Sequence, residues 1–199
     1  MSKVPVLVIA GYGINSEVEL VHGFELAGAA PRRVHLSDIV DGRVKLSDYR
    51  ILAFPGGFSF GDHIASGRVL AVKIQAHLGE QLRESVAGGA LVIGICNGFQ
   101  ILCEAGLLPG ALQKNRGLKF LCTTVGLRVE TTDSVLTVEA QVGSVLRVPI
   151  NHFEGNFTCS PETLAELQAN EQIVLRYVTN PNGSVDDIAG ICNAGRNVV

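Results

Sequence analysis

The sequence predicts an α/β protein built on one doubly wound, mostly parallel sheet, with antiparallel strands appended in its second half. Three observations predict it. Short β-branched runs alternate with helix-spaced segments through the first half. From residue 123 to 148 the apolar residues switch to every second position. The chain has 199 residues, 47% of them apolar, which fits a single domain over residues 1–199 with no linker or repeat to divide it.

Val6 to Ile9 is a continuous β-branched run, as a strand buried on both faces requires. Ser16 and Glu19 have capping-box spacing, and Val18, Val21, Phe24 and Ala27 follow at helical spacing. Strands are expected at Arg33 to Leu36 and at Ile51 to Phe54, the latter ending in the turn Pro55-Gly56-Gly57. Val69 to Val86 reads as a helix with Val72, Leu78, Leu82 and Val86 on one stripe. Leu91 to Ile93 is the next buried strand and Phe99 to Glu104 the next helix, stopped by Gly106. This alternation implies parallel strands with right-handed crossovers. Val125, Leu127 and Val129, then Val135 and Val138, suggest the antiparallel strands. A helix at 161–170, a strand at Ile173 to Leu175, a turn at Asn180 to Gly183 and a last strand reaching Val198-Val199 complete the chain.

A net charge of −3 without any Lys/Arg run gives no footprint for nucleic acid or for a membrane surface. The longest apolar stretches are about eight residues, against the roughly twenty that span a bilayer. Five cysteines, an odd number with no C-x-x-C pair, suggest a reducing cytoplasm and no metal site.

The sharpest feature is Gly94-Ile95-Cys96-Asn97-Gly98, between a buried strand and a helix. Cys96 there is the nucleophile of a strand–turn–helix elbow, whose flanking glycines relieve collisions with the neighbouring strand and helix. The bland alternative is a small buried hydrophobe, the role of most cysteines and the reading given to Cys103. Cys122, Cys159 and Cys192 lack a reactive context and are read as structural. A helix N-terminus is expected to lower the Cys96 thiol pKa. The Asn97 N–H would point at the oxyanion, and the Gly57 N–H could supply a second arm.

Pro55 to Asp62, Gly94 to Leu102, Asn180 to Ser184 with Asp187 to Ile191, and more loosely Pro149 to Phe157 resemble the class I (triad-type) glutamine amidotransferases. Within them they are most similar to the branch of glutaminase subunits serving purine synthesis. The resemblance implies a flavodoxin-like sheet, Cys96 as nucleophile, oxyanion N–H groups from Gly57 and Asn97, and Gln100 helping to hold glutamine. It also implies ammonia delivery to a large ATP-dependent synthetase subunit, bridged by a small third one. No cofactor is expected in this subunit, since ATP and Mg belong to the synthetase. The family's His-x-Glu base pair falls just after the strand near Asn197, so the expectation is a chain truncated before it. His152-Phe153-Glu154 has that spacing but lies in a different family segment. Two rival readings are a ThiJ/PfpI-type cysteine hydrolase or chaperone and a partner-binding subunit without turnover. The first is weakened because the loop after the first strand has no acid before Glu17.

Overall fold

The computed structural model describes residues 3–199, which divide into a unit ending at Gly106 and a second unit, Leu107–Val199. In the first, β1 (Pro5–Ala10), β2 (Ala30–His35), β3 (Ile51–Phe54) and β4 (Leu91–Gly94) form a parallel sheet in the order β2-β1-β3-β4. The order reverses direction between β1 and β3. In an open α/β sheet such a switch point opens a crevice at the carboxyl ends of the strands, where ligands bind. Val6, Leu7, Val8, Leu52, Ala53 and Phe54 are sealed in the core, as their unbroken apolar runs require.

Helices α1 (Glu17–Leu26), α2 (Leu36–Val40), α3 (Arg68–Ala87) and α4 (Asn97–Glu104) connect or follow these strands. Two details differ from the sequence reading. The buried face of α3 is Leu70, Ala71, Ile74, Leu78 and Leu82, while Val72 is 59% exposed. Leu78 and Leu82 of the expected stripe face the core and Val86 is half-buried, so the difference is confined to Val72. Helix α1 starts where Ser16 predicts, but the Ser16 side chain makes no capping bond. Its backbone N–H instead donates to the Gly56 carbonyl at 3.2 Å, tying the helix start to the loop after β3.

In the second unit, β6 (Leu121–Val129), β7 (Val145–His152), β9 (Ile173–Tyr177) and β10 (Ile188–Ile191) form an antiparallel sheet of their own, ordered β10-β9-β6-β7. The short β5 (Ala111–Gln113) pairs with β8 (Asn156–Thr158), and α5 (Pro161–Ala169) precedes β9. The expected strand through Val135 and Val138 is instead irregular chain, with Val138 63% exposed. The expected terminal strand is also absent: residues 193–198 turn back on themselves, the Asn193 N–H donating to the Val198 carbonyl at 3.0 Å. Val198 and Val199 are nonetheless buried, which is why their apolar pair resembled a strand.

Two asparagines lace this unit together. Asn115 donates to the Lys119 and His152 carbonyls and accepts from the Gly155 N–H. Asn182 donates to the Gly155 carbonyl at 2.7 Å and accepts from Ser184. Segments 149–157 and 180–184, which carry the family resemblance, are therefore joined at Gly155 through side chains that leave no buried amide of Asn115 or Asn182 unused. No helix among the described residues is long and apolar enough to cross a membrane.

Candidate active site

Strands β3 and β4 are parallel neighbours, with Phe54 opposite Gly94, so the loops that follow them leave the sheet side by side. The β4 loop is the predicted elbow. Cys96 precedes α4 with φ 55° and ψ −109°, a conformation an L-residue keeps only when its surroundings impose it. Close packing imposes it here. A Cβ on Gly98 would stand 1.9 Å from the Phe54 carbonyl oxygen, and one on Gly94 would meet the Gly98 carbonyl at 2.7 Å. Both positions must be glycine for β4 and α4 to turn this tightly against β3.

Cys96 is exposed, which the role expected of it requires. Its protonation differs from the sequence expectation. Enough protein surrounds the sulfur that desolvation pushes the thiol up, outweighing the bond from the Asn97 backbone N–H, and the Asp62 carboxylate pushes it further. The helix N-terminus thus acts through one N–H, and burial wins. The thiol rests protonated at neutral pH and has to be deprotonated to react. Cys103 behaves as predicted for core: burial and then Glu104 push it up to about 12. Cys122, read as structural, is exposed instead.

The loop after β3 lies against this turn. A Cβ on Gly56 would sit 3.5 Å from the Cys96 Cβ. Gly57 forms an antiparallel bridge with Ile14, closed by the Asn15 N–H on the Gly56 carbonyl and the Phe58 N–H on the Gly13 carbonyl. The Gly57 N–H stays outside those two bonds. A Cβ on Gly57 would come within 2.7 Å of the Ile14 Cα, so only glycine permits the bridge.

Asn97 is fully buried, and its side chain spans both loops. Its Oδ1 accepts from the Ser59 N–H at 3.2 Å, and its Nδ2 donates to Gln100 Oε1 at 2.8 Å and to Asp62 Oδ1 at 3.4 Å. Gln100 is buried one turn along α4 with its amide oxygen engaged by Asn97. Sequence reasoning used only the Asn97 backbone and missed this side chain, together with Ser59 and Asp62. The signal was an amide pair three residues apart, on the same face of α4 as the buried Ile101.

His22, His63 and His77 are exposed. His35 caps α2, accepting from the Ser37 N–H at 3.2 Å. In the second unit both ring nitrogens of His152 are buried without a partner, and its ring packs on Gly155. Glu154 does not orient it, so the pair makes no acid–base dyad. Among the described residues no cluster of three or more His, Cys, Asp or Glu could hold a metal ion.

A cysteine on a strained strand-to-helix turn, at the carboxyl edge of a parallel sheet and beside a glycine loop, defines an α/β protein of the cysteine-elbow class. The comparisons narrow the class. Residues 3–199 match the family model of the CobB/CobQ-like glutamine amidotransferase domain, and the chain belongs to that family. A phosphoribosylformylglycinamidine synthase subunit PurQ from Rubrobacter xylanophilus is 45% identical over 193 residues, covering 96% of this chain and 84% of that protein. Its counterpart from Cereibacter sphaeroides is 43% identical over 194 residues, covering 96% and 83%. The solved structure of PurLQS from Thermotoga maritima contains a chain that superposes with a TM-score of 0.86 at 36% identity, over 98% of this chain and 84% of that one.

Proposed function

We propose that this chain hydrolyses the side-chain amide of glutamine and supplies the ammonia to an ATP-dependent phosphoribosylformylglycinamidine synthase in purine biosynthesis. The observation that carries the reading is the strained, solvent-facing Cys96 held between Gly94 and Gly98 with Gly56 alongside. Kinship with PurQ subunits supplies the substrate and the pathway.

In the proposed reaction the Cys96 sulfur attacks the amide carbon and the carbonyl oxygen becomes an oxyanion. The N–H groups of Gly57 and Asn97 receive that charge. A carbon–sulfur bond forms, the carbon–nitrogen bond breaks, and nitrogen leaves as ammonia carrying the proton that the thiol gave up. Water then cleaves the glutamyl thioester, releasing glutamate and restoring the thiol. Because the thiol rests protonated, a base has to move that proton. We assign that role to none of the five histidines. Gln100 helps hold the glutamine, from a position fixed by its bond to Asn97. The subunit needs no cofactor for this chemistry; ATP and Mg serve the synthetase. The partners are a large synthetase subunit and a small bridging one, and the reaction is placed in the cytoplasm.

The test is glutamate release by the protein as its gene encodes it, assayed with and without its synthetase subunit, for the native sequence and Cys96→Ser. The variant is expected to lose turnover by a factor of about 10⁴ or more while still binding the synthetase. Full turnover in Cys96→Ser would remove the cysteine from the mechanism.

A further inference from the structure

Both proposed oxyanion N–H groups must address the same oxygen, yet they sit on different loops. Asn97 belongs to the first turn of α4, while Gly57 lies on the loop that runs from β3 toward α3. That second loop is not an inherently stable shape. Phe60, Asp62 and Ile64 have φ between 53° and 75°, which side chains other than glycine's adopt only under constraint. Ile64 is 84% exposed, so its own side-chain packing does not impose that conformation.

One constraint comes from the loop after β1, where the Phe60 N–H donates to the Tyr12 carbonyl and the two rings stack at 4.8 Å, and a second enters from the elbow. Ser59 is 2% exposed and its hydroxyl has no partner, so the polar tie of this residue to the elbow is its N–H on Asn97 Oδ1. Asp62, at the far end of the same turn, meets Asn97 Nδ2. The same nitrogen is steadied by Gln100 Oε1. One buried carboxamide thus grips the loop at two points three residues apart. Only a side chain with an acceptor on one branch and donors on the other can do this.

We propose that the Asn97 side chain is a positioning residue for glutamine hydrolysis, locking the Gly57 loop to the elbow so that the two backbone N–H groups stay aimed at one oxyanion. The inference rests on the reading of Cys96 as the nucleophile. It adds a role for a side chain that never touches substrate.

The experiment uses the complete protein with its synthetase subunit and two replacements. Asn97→Leu keeps the number and branching of the side-chain heavy atoms and removes every side-chain bond. Its kcat is expected to fall by about 100-fold, the cost of a lost oxyanion donor, and KM for glutamine to rise as well, because Gln100 loses the bond that fixes it. Alkylation of Cys96 by iodoacetamide should continue, showing that the elbow is folded and open. Asn97→Asp supplies a conservative rescue that depends on pH. The introduced carboxyl faces the Asp62 carboxylate, the Gln100 amide and the Ser59 N–H, with the Cys96 thiol one residue away. When ionised it is repelled by Asp62 and cannot donate. When protonated it has the acceptor and one of the amide's two donor hydrogens, enough to hold Ser59 and one of Asp62 and Gln100. Its kcat relative to the native protein at the same pH should therefore rise as pH falls.

A native kcat in Asn97→Leu overturns the proposal. If Asn97→Leu does not fold, Asn97→Asp decides alone, and a relative kcat that is flat with pH overturns it. A native protein that shows no Cys96-dependent glutamine turnover would instead defeat the parent reading, so the two failures are told apart by the control.

Discussion

Cys96 combines two requirements that usually oppose each other. The side chain is exposed enough to meet an amino acid, yet the protein packed around its sulfur, with the Asp62 carboxylate, holds the thiol above its ordinary pKa of 9.0. The iodoacetamide alkylation rate of Cys96 in this 199-residue chain should therefore keep rising as pH passes 9.0. Asp62→Asn removes one of the two raising influences and should move the midpoint down. A midpoint near 7 in the native chain would contradict the electrostatics described for the site. The tight turn at this residue is legible from its glycine frame, because the frame is a local steric demand. The protonation of the thiol is not. The helix N-terminus is visible in a sequence, but the desolvation that defeats it comes from residues brought in by the fold. Asn97 teaches the same lesson, since Gln100 stands at helical spacing from it but its partners at residues 59 and 62 come from another loop that no spacing rule connects.

Helix starts make the contrast at the scale of elements. Ser160 caps α5, its side chain accepting from the Thr163 N–H at 3.2 Å with Pro161 opening the helix. Ser16 has the more complete sequence signal, with Glu19 three residues on, but makes no such bond. Ser160→Ala should cost about 1 kcal/mol in urea unfolding, whereas Ser16→Ala should cost no more than about 0.3 kcal/mol. Equal losses would mean that the Ser16 side chain caps α1 in solution. Strands β3 and β4 were read almost to the residue because runs buried on both faces leave no choice of face. Helix α3 has the extent the sequence predicts, with Leu78 and Leu82 inward as expected and Val72 turned out to solvent. Its valines and leucines surround enough of the helix that only the packing of Leu70, Ala71 and Ile74 decides which face turns inward.

Charge organises the molecule most visibly in the second unit. Arg176 on β9 bonds both Glu130, just past β6, and Asp186, just before β10, and Arg128 also reaches Glu130. Burial alone would raise both carboxyls. The hydrogen bonds from Arg128 and Arg176 on Glu130, and from Arg176 and Gln168 on Asp186, overcome it and hold both below the usual carboxylate range. Folded values below the unfolded ones mean a stability gain present above about pH 4 and lost as pH falls through the depressed values. Arg176→Met should therefore destabilise the protein by about 2 kcal/mol at pH 7, since Asp186 loses its cation and Glu130 one of two. The deficit should shrink below pH 4. A deficit independent of pH would point to lost packing of the arginine stem instead. None of this network was legible in the sequence, whose acids and bases lie up to 58 positions apart between Arg128 and Asp186. The overall α/β plan and the family were legible, because both rest on contiguous segments.

The contact between Gly98 and the Phe54 carbonyl gives the site a common reference point. Helix α4 rests directly on the end of β3, backbone against backbone, and Gly57 follows that same strand end three residues later. Whatever shifts β3 by a fraction of an ångström carries both donors the same way. The gap between them is then insulated from breathing of the sheet, much as two instruments bolted to one plate keep their alignment when the plate moves.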